Sequence, residues 1–411
     1  MTDRTRELIY DWNTVGGADI APRRPIEFDD ETLRDGLQSP SVRDPEVGDK
    51  LEILHLMDDL GIHSADVGLP GAGPRAREHV RRLVEEIRDA KLAIRPNCAA
   101  RTLVQDIQPV ADVVQATGVA IEVCVFIGSS PIRQYAEDWT LDKMLHHTET
   151  AVRFAVAQGL PVMYVTEDTT RAKPDDLRAL YTLAIDCGAR RVCVCDTCGH
   201  VTPMGVRNLI RHVQRIVADA KVPDVRIDWH GHRDRGIDLP NTFAAIDAGV
   251  DRVHGTALGI GERVGNTPMD LLLVNLKLMG LISNDLSALA RYTAKVSEAV
   301  GVPIPVNYPV FGHDAFETAT GVHASAVIKA FGKGDAWLAD RVYSGVPAAD
   351  FGREQRIRIG PMSGKSNVVY WLERNAIAPA PELVDAIFAV AKQTPHLLSD
   401  AEVMAVVSSH R

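Results

Sequence analysis

The sequence contains no uninterrupted apolar run approaching the ~20 residues that a membrane-spanning helix requires, and this excludes a helical integral membrane protein. Its first ten residues, Met1 to Tyr10, are charged and lack the apolar centre of a secretory signal, so the expectation is a soluble, cytoplasmic protein. No run of Lys or Arg makes a basic patch, and a formal net charge of −10 argues against non-specific binding to nucleic acid. Small-molecule chemistry is favoured. Cysteine is scarce, six in 411 residues, and three crowd into Cys193-Val194-Cys195-Asp196-Thr197-Cys198, which is not the spacing of a disulfide scaffold. Cys195 and Cys198 have Cys-x-x-Cys spacing, but no second such pair completes a zinc cluster, so these cysteines read as small buried residues.

What is present is an ordinary globular composition, 45% hydrophobic and 24% charged, in a chain long enough for more than one domain. Residues 1–24 are polar and read as an N-terminal arm. Then short apolar strand candidates recur at Ile26 to Asp30, Ala65 to Leu69, Leu92 to Asn97, Ile121 to Phe126, Val162 to Thr166, Val192 to Asp196, Val225 to His230 and Val253 to Ala257. The segments between them carry helical signals. Ile53, Leu56, Met57 and Leu60 mark one helix face with Gly61 as its stop, and Thr202-Pro203 and Thr267-Pro268 each offer a cap followed by proline. Leu271 to Leu281 is apolar nearly all round and predicts a buried helix. Eight β-α units over 25–282 predict an α/β fold, the TIM (β/α)8 barrel. A doubly wound sheet alternates in the same way, but the count of eight and the polar residues gathered after the strands favour the barrel. Beyond this the rhythm stops. Residues 284–300 read as a helix ended by Gly301, a Pro-rich connection follows, and 283–411 is expected to be a smaller, mainly helical region.

The chemistry centres on Trp229-His230-Gly231-His232-Arg233-Asp234-Arg235-Gly236. Residues i and i+2 of a strand point to one side, so both imidazoles can reach one point, as two metal ligands must. Alone, such a pair is as readily structural. In a closed barrel, strands 1 and 7 end on one face, which brings Asp35 of Arg34-Asp35-Gly36-Leu37-Gln38 beside the histidines and completes a two-His, one-carboxylate set for a divalent metal with open positions. After strand 8, Gly259-Ile260-Gly261-Glu262-Arg263-Val264-Gly265-Asn266 is a glycine-rich turn. Glu262 would repel a phosphate, so a tight loop lending Asn266 or Glu262 to the metal site is the preferred reading. Strands 5 and 6 end in Thr166-Glu167-Asp168 and Asp196-Thr197, where carboxylates are candidate bases or helix caps.

Together, the run from Phe28 to Pro40, the His230-Gly231-His232 motif with Asp234, Gly236 and Asn241, and the Gly-x-Gly-Glu-Arg-x-Gly-Asn loop resemble the 2-isopropylmalate and homocitrate synthase family. That family is related to citramalate synthase and to hydroxymethylglutaryl-CoA lyase. The resemblance covers about 25–282 and continues through Thr320-Gly321-Val322-His323 and Ile359-Gly360-Pro361-Met362-Ser363-Gly364-Lys365-Ser366. It implies a Claisen-type condensation of acetyl-CoA with a 2-oxo acid, followed by thioester hydrolysis. It also implies that Asp35, His230 and His232 hold the metal (Zn²⁺, Mn²⁺ or Mg²⁺), with Asn266 as a further ligand. Arg34 would stabilise charge developing on oxygen, and Glu167 and His323 would be acid/base groups. Thr197 would bind the substrate carboxylate, and Gln38 and Arg101 would line the pocket. The region after the barrel, with His323 and Tyr343, would act at the partner's site in a homodimer.

Four residues depart from the family pattern: Glu31 replaces a Thr or Ser, Arg233 an Asn, Thr318 a His, and Arg133 the His of many isopropylmalate-type sequences. Arg133 suits a second anionic group, so the expected acceptor is an anionic 2-oxo acid such as 2-oxoglutarate. Only a short stretch follows the Ser-Gly-Lys-Ser motif, so no leucine-type regulatory domain is expected. The rival enzyme class is carbon-carbon cleavage by a lyase or aldolase; the lyase has a cysteine in the loop after strand 8, where this chain has Gly261-Glu262-Arg263. A non-catalytic reading, a barrel that has lost its activity, has intact Arg34, Asp35, His230 and His232 against it.

Overall fold

Eight parallel strands close on themselves: β1 (Glu27–Asp30), β2 (Ser64–Asp66), β3 (Arg95–Arg101), β4 (Glu122–Gly128), β5 (Val162–Glu167), β6 (Arg191–Asp196), β7 (Arg226–Gly231) and β8 (Arg252–Gly255). Pairing of β8 with β1, Phe28 opposite Val253, closes the barrel and removes the doubly wound sheet as an alternative. This computed structural model describes residues 7–17 and 20–410, so part of the expected arm, and most of the stretch from Met1 to Tyr10, lies outside the described residues. The chain divides into two compact units, the first ending at Pro303 and the second running from Ile304 to Arg411.

Local chemistry explains where the elements start and stop. Helix Val47–Asp59 buries Ile53, Leu56 and Met57, and Gly61 follows at φ +71, a conformation without penalty only for glycine. The third strand begins later than the run from Leu92 suggests, because the Leu92 N–H closes the preceding helix on Ile87 O at 3.0 Å. Thr267-Pro268 starts a helix one residue late, at Met269, because the Thr267 hydroxyl donates to Gly231 O at 3.2 Å and ties the loop after β8 to β7. Helix Leu289–Val300 belongs to the first unit: its Tyr292 hydroxyl is shared with the Asp30 carboxyl and the Thr32 hydroxyl, at the end of β1. The change of region expected at 283 therefore falls inside that unit.

The second unit has helices Gly321–Gly332, Ala336–Arg341, Lys365–Arg374, Pro381–Gln393 and Asp400–Ser409, with β9 (Glu317–Thr318) paired in parallel to β10 (Arg356–Ile357). Leu372, Ile387, Leu398 and Val403 form its main core. Among the described residues, no helix is long and apolar enough to cross a membrane.

Strand alternation places the chemistry. In β7 one face carries Asp228 and His230, continued by His232; in β8 it carries Arg252 and His254; in β6, Cys193 and Cys195; in β5, Met163, Val165 and Glu167. These side chains meet inside the barrel. Arg252 spans it, donating to Asp228 at 2.7 Å, Glu122 at 2.7 Å and Ser64 at 2.9 Å, so the lower layer is a buried, mutually paired charge network. The layer above it opens into a cavity at the C-terminal ends of the strands.

Candidate active site

The cavity holds about 490 Å³. Its lining includes polar groups, Arg34, Asp35, Glu167, Thr197, His230 and His232, and apolar or sulfur-containing ones, Ala99, Cys124, Phe126, Met163, Cys193 and Cys195.

Within this lining three donor atoms converge. His230 Nε2 and His232 Nε2 lie 3.0 Å apart, and Asp35 Oδ2 stands 3.9 Å from the first and 3.8 Å from the second. Burial and the neighbouring His230 push the His232 pKa down to about 4, so this imidazole is neutral at physiological pH. Burial alone would lower His230, but Glu31 overrides it and raises the pKa. The two Nε2 atoms face each other in the place where a cation would sit. Burial alone would also raise Asp35, but Arg34 and His230 hold it below its ordinary value, as a carboxylate ligand requires.

Asn266 donates from Nδ2 to Asp35 Oδ2 at 2.5 Å, and among the described residues its buried Oδ1 has no hydrogen-bond partner. A mixed nitrogen and oxygen set, with one orphaned carbonyl oxygen beside it, fits a divalent cation. The glycine loop is closed on itself and leaves no phosphate cradle: a Cβ on Gly265 would meet Gly259 O at 1.8 Å, and one on Gly261 would meet Asn266 Oδ1 at 2.0 Å. Arg263 locks the loop by donating to Asp234 at 2.8 Å and to Thr197 O at 2.6 Å.

Arg34 sits beside the donors, bound to Asp35 at 2.7 Å and to Asp66 at 2.6 Å. Burial, opposed by Arg34, raises the Asp66 pKa to about 7. Glu167, at the end of β5, faces the cavity, and burial raises its pKa, with Arg133 acting in the opposite sense. Thr197 Oγ1 accepts from Asp168 N at 2.9 Å, and Gln38 also reaches the cavity.

The remaining expected residues stand elsewhere. Arg101 leaves the cavity to pair with Asp106 through two hydrogen bonds, at 2.6 and 2.9 Å, and its side chain is 56% exposed. Arg133 is 49% exposed and pairs with Glu137 at 3.2 Å. His323 and Tyr343 lie in the second unit, where their rings stack with centroids 4.2 Å apart. Arg233 packs against Gly259, and Thr318 is in β9. All six cysteines are free; Cys193 and Cys195 are buried inside the barrel and Cys198 is half-buried.

Residues 25–296 match the HMGL-like family. The chain belongs to that family. This HMGL-like protein is 32% identical over 362 residues to the homocitrate synthase AksA of Methanopyrus kandleri, covering 87% of this chain and 85% of that one. It is 30% identical over 360 residues to the 2-isopropylmalate synthase of Sulfolobus acidocaldarius, with 86% of each chain covered. Among solved structures, the HMG-CoA lyase of Bacillus subtilis superposes with a TM-score of 0.58 at 19% identity, over 69% of this chain and 97% of that chain, and shares the fold.

Three residues of the HMGL-like site escape a motif reading. Asp66 stands at the end of a strand that the apolar run Ala65 to Leu69 places too late. Glu31 registers in the sequence only as a departure from pattern. His254 lies inside an apolar run, where an isolated histidine reads as structural. A polar residue on the inward parity of a short apolar strand was the available signal for all three.

Proposed function

We propose that this HMGL-like protein joins the methyl carbon of acetyl-CoA to the carbonyl carbon of a 2-oxo acid and hydrolyses the thioester, giving a 2-hydroxy di- or tricarboxylic acid and free CoA. The convergence of Asp35, His230 and His232 beside Arg34 and Glu167 carries this reading. A divalent cation held by those three residues, with Asn266 next to them, would polarise the carbonyl of the acceptor. Arg34 places a fixed positive charge beside that oxygen. Glu167 takes the methyl proton, and its raised pKa brings its basicity closer to what so weak a carbon acid needs. Thr197 orients the acceptor carboxylate. His323 and Tyr343, serving the partner's site in a homodimer, belong to the same proposal and rest on the family resemblance.

For the acceptor, the apolar wall of Ala99, Cys124, Met163, Cys193 and Cys195 favours a short apolar substituent. A second reading, 2-oxoglutarate, is supported by Arg133, whose side chain lies over Gly128 and influences Glu167. Replacing Arg133 by His separates the two. If Arg133 binds a second carboxylate, kcat/KM for 2-oxoglutarate relative to 2-oxoisovalerate falls on the order of 10-fold or more, the value of a charge-assisted hydrogen bond. An unchanged ratio leaves the apolar wall as the selector. The overall reaction is tested by measuring thiol release from acetyl-CoA with pyruvate, 2-oxoisovalerate and 2-oxoglutarate. Free CoA is expected only with the matching acceptor. Release from none of them, together with cleavage of 3-hydroxy-3-methylglutaryl-CoA, would establish the lyase instead.

A further inference from the structure

Beneath the three donors lies a buried chain of charges that the proposed reaction leaves unexplained. Glu31 Oε2 accepts a hydrogen bond from His230 Nδ1 at 2.7 Å, and its Oε1 accepts one from His254 Nδ1 at 3.0 Å. His254 Nε2 in turn donates to Asp228 Oδ2 at 2.9 Å, and Asp228 is held by Arg252 at 2.7 Å and Arg191 at 2.6 Å. Glu31, His254 and Asp228 are all buried. With a carboxylate on each ring nitrogen, His254 carries two N–H groups and is an imidazolium.

We propose that Glu31, anchored by His254, is the positioning group that fixes His230 as a metal ligand. This rests on the reading that Asp35, His230 and His232 hold a divalent cation. A carboxylate on Nδ1 keeps the proton there, so that Nε2 can present its lone pair towards Asp35 and His232; it also fixes the ring plane. One carboxylate oxygen on a ligand histidine leaves the other in need of a partner, and His254 supplies it. The imidazolium balances the charge of the buried Glu31, and the Asp228 cluster holds that imidazolium in turn. A Thr at 31 is too short to span the two rings. The departure of Glu31 from the family pattern and the presence of His254 opposite it on β8 thus form one device.

The test compares wild type, Glu31→Gln, His254→Gln and the double variant, all as the full chain stripped of metal and reloaded. Zn²⁺ affinity is measured by competition with a chromophoric chelator, and the ligand field by the visible absorption of the Co²⁺ form. Glu31→Gln is expected to weaken Zn²⁺ binding by about 10–100-fold, the usual cost of losing an outer-shell partner, and to shift the Co²⁺ bands. The double variant should bind no more weakly than Glu31→Gln, because His254 acts through Glu31. A thermal melt of each metal-free protein reports folding separately, and if Glu31→Gln does not fold, His254→Gln carries the test with a smaller loss of the same sign. Unchanged Zn²⁺ affinity and Co²⁺ spectrum in a folded Glu31→Gln, or strictly additive losses in the double variant, overturn the inference. Failure of the wild type to bind either ion defeats the metal reading itself, and the inference with it.

Discussion

Replacing Asp35 by Asn or His232 by Ala is expected to weaken divalent-metal binding more than any change at Glu31, beyond ~100-fold, and to remove condensation activity. Three donors converge on one point, and loss of any one leaves two, too few to hold a hydrated divalent ion against water. Fold stability should survive. The Asp35 carboxylate will no longer offset Arg34, but Asp66 still pairs with that guanidinium at 2.6 Å. Metal binding to the wild type should also release a proton, because Glu31 raises the proton affinity of His230 and a cation competes with that proton. The sign follows directly: Glu31 raises the proton affinity of His230, so apparent metal affinity falls as pH falls and rises as pH rises. Titration calorimetry in two buffers of different ionisation enthalpy reads both effects. A metal affinity that is independent of pH, with no proton released, contradicts the arrangement described.

The second large effect is expected at Glu167. Glu167→Gln keeps the shape and removes the base, so kcat should fall by about 10²–10⁴-fold, with KM for the 2-oxo acid little changed and an unaltered thermal melt. The pH profile is the sharper test. Burial raises the Glu167 pKa, so the active, deprotonated form appears only above the ordinary glutamate range of ~4.3. Activity should therefore rise with pH through a limb displaced upwards from that value, and Glu167→Gln should lose the limb. Removing Arg133, whose cation lowers that pKa, should move the limb further up. An acid limb at the ordinary glutamate value in wild type, or one that survives in Glu167→Gln, assigns the base to another residue.

The barrel is legible in the sequence because each strand is a short apolar run bounded by helical periodicity, and the eight runs fall on the eight strands within a few residues. Strand ends were less legible. Leu92 belongs to a helix terminus and Thr267 to a loop clamp, and both depend on tertiary hydrogen bonds that no local window contains. The site divides in the same way. Asp35, His230 and His232 are visible because spacing and closure of the barrel bring them together. Glu31, Asp66 and His254 were not, because a charged barrel interior is paired across strands: Glu31 finds its partners 199 and 223 residues away. Arg101 and Arg133 show the converse. Arg101 ends β3, yet Asp106 in the helix that follows takes its guanidinium, and Arg133 lies within helix Pro131–Ala136, where Glu137 four residues on pairs with it.

The most direct measurement uses acetyl-CoA labelled with ¹³C at the methyl carbon, incubated with the metal-loaded protein and the acceptor selected by the thiol-release panel. Carbon NMR of the products should show the label as a methylene group next to a quaternary carbinol carbon, in a one-to-one ratio with free CoA. Label that remains in acetyl-CoA, or that is recovered only as free acetate with no new carbon-carbon bond, contradicts a condensation built on Asp35, His230, His232 and Glu167.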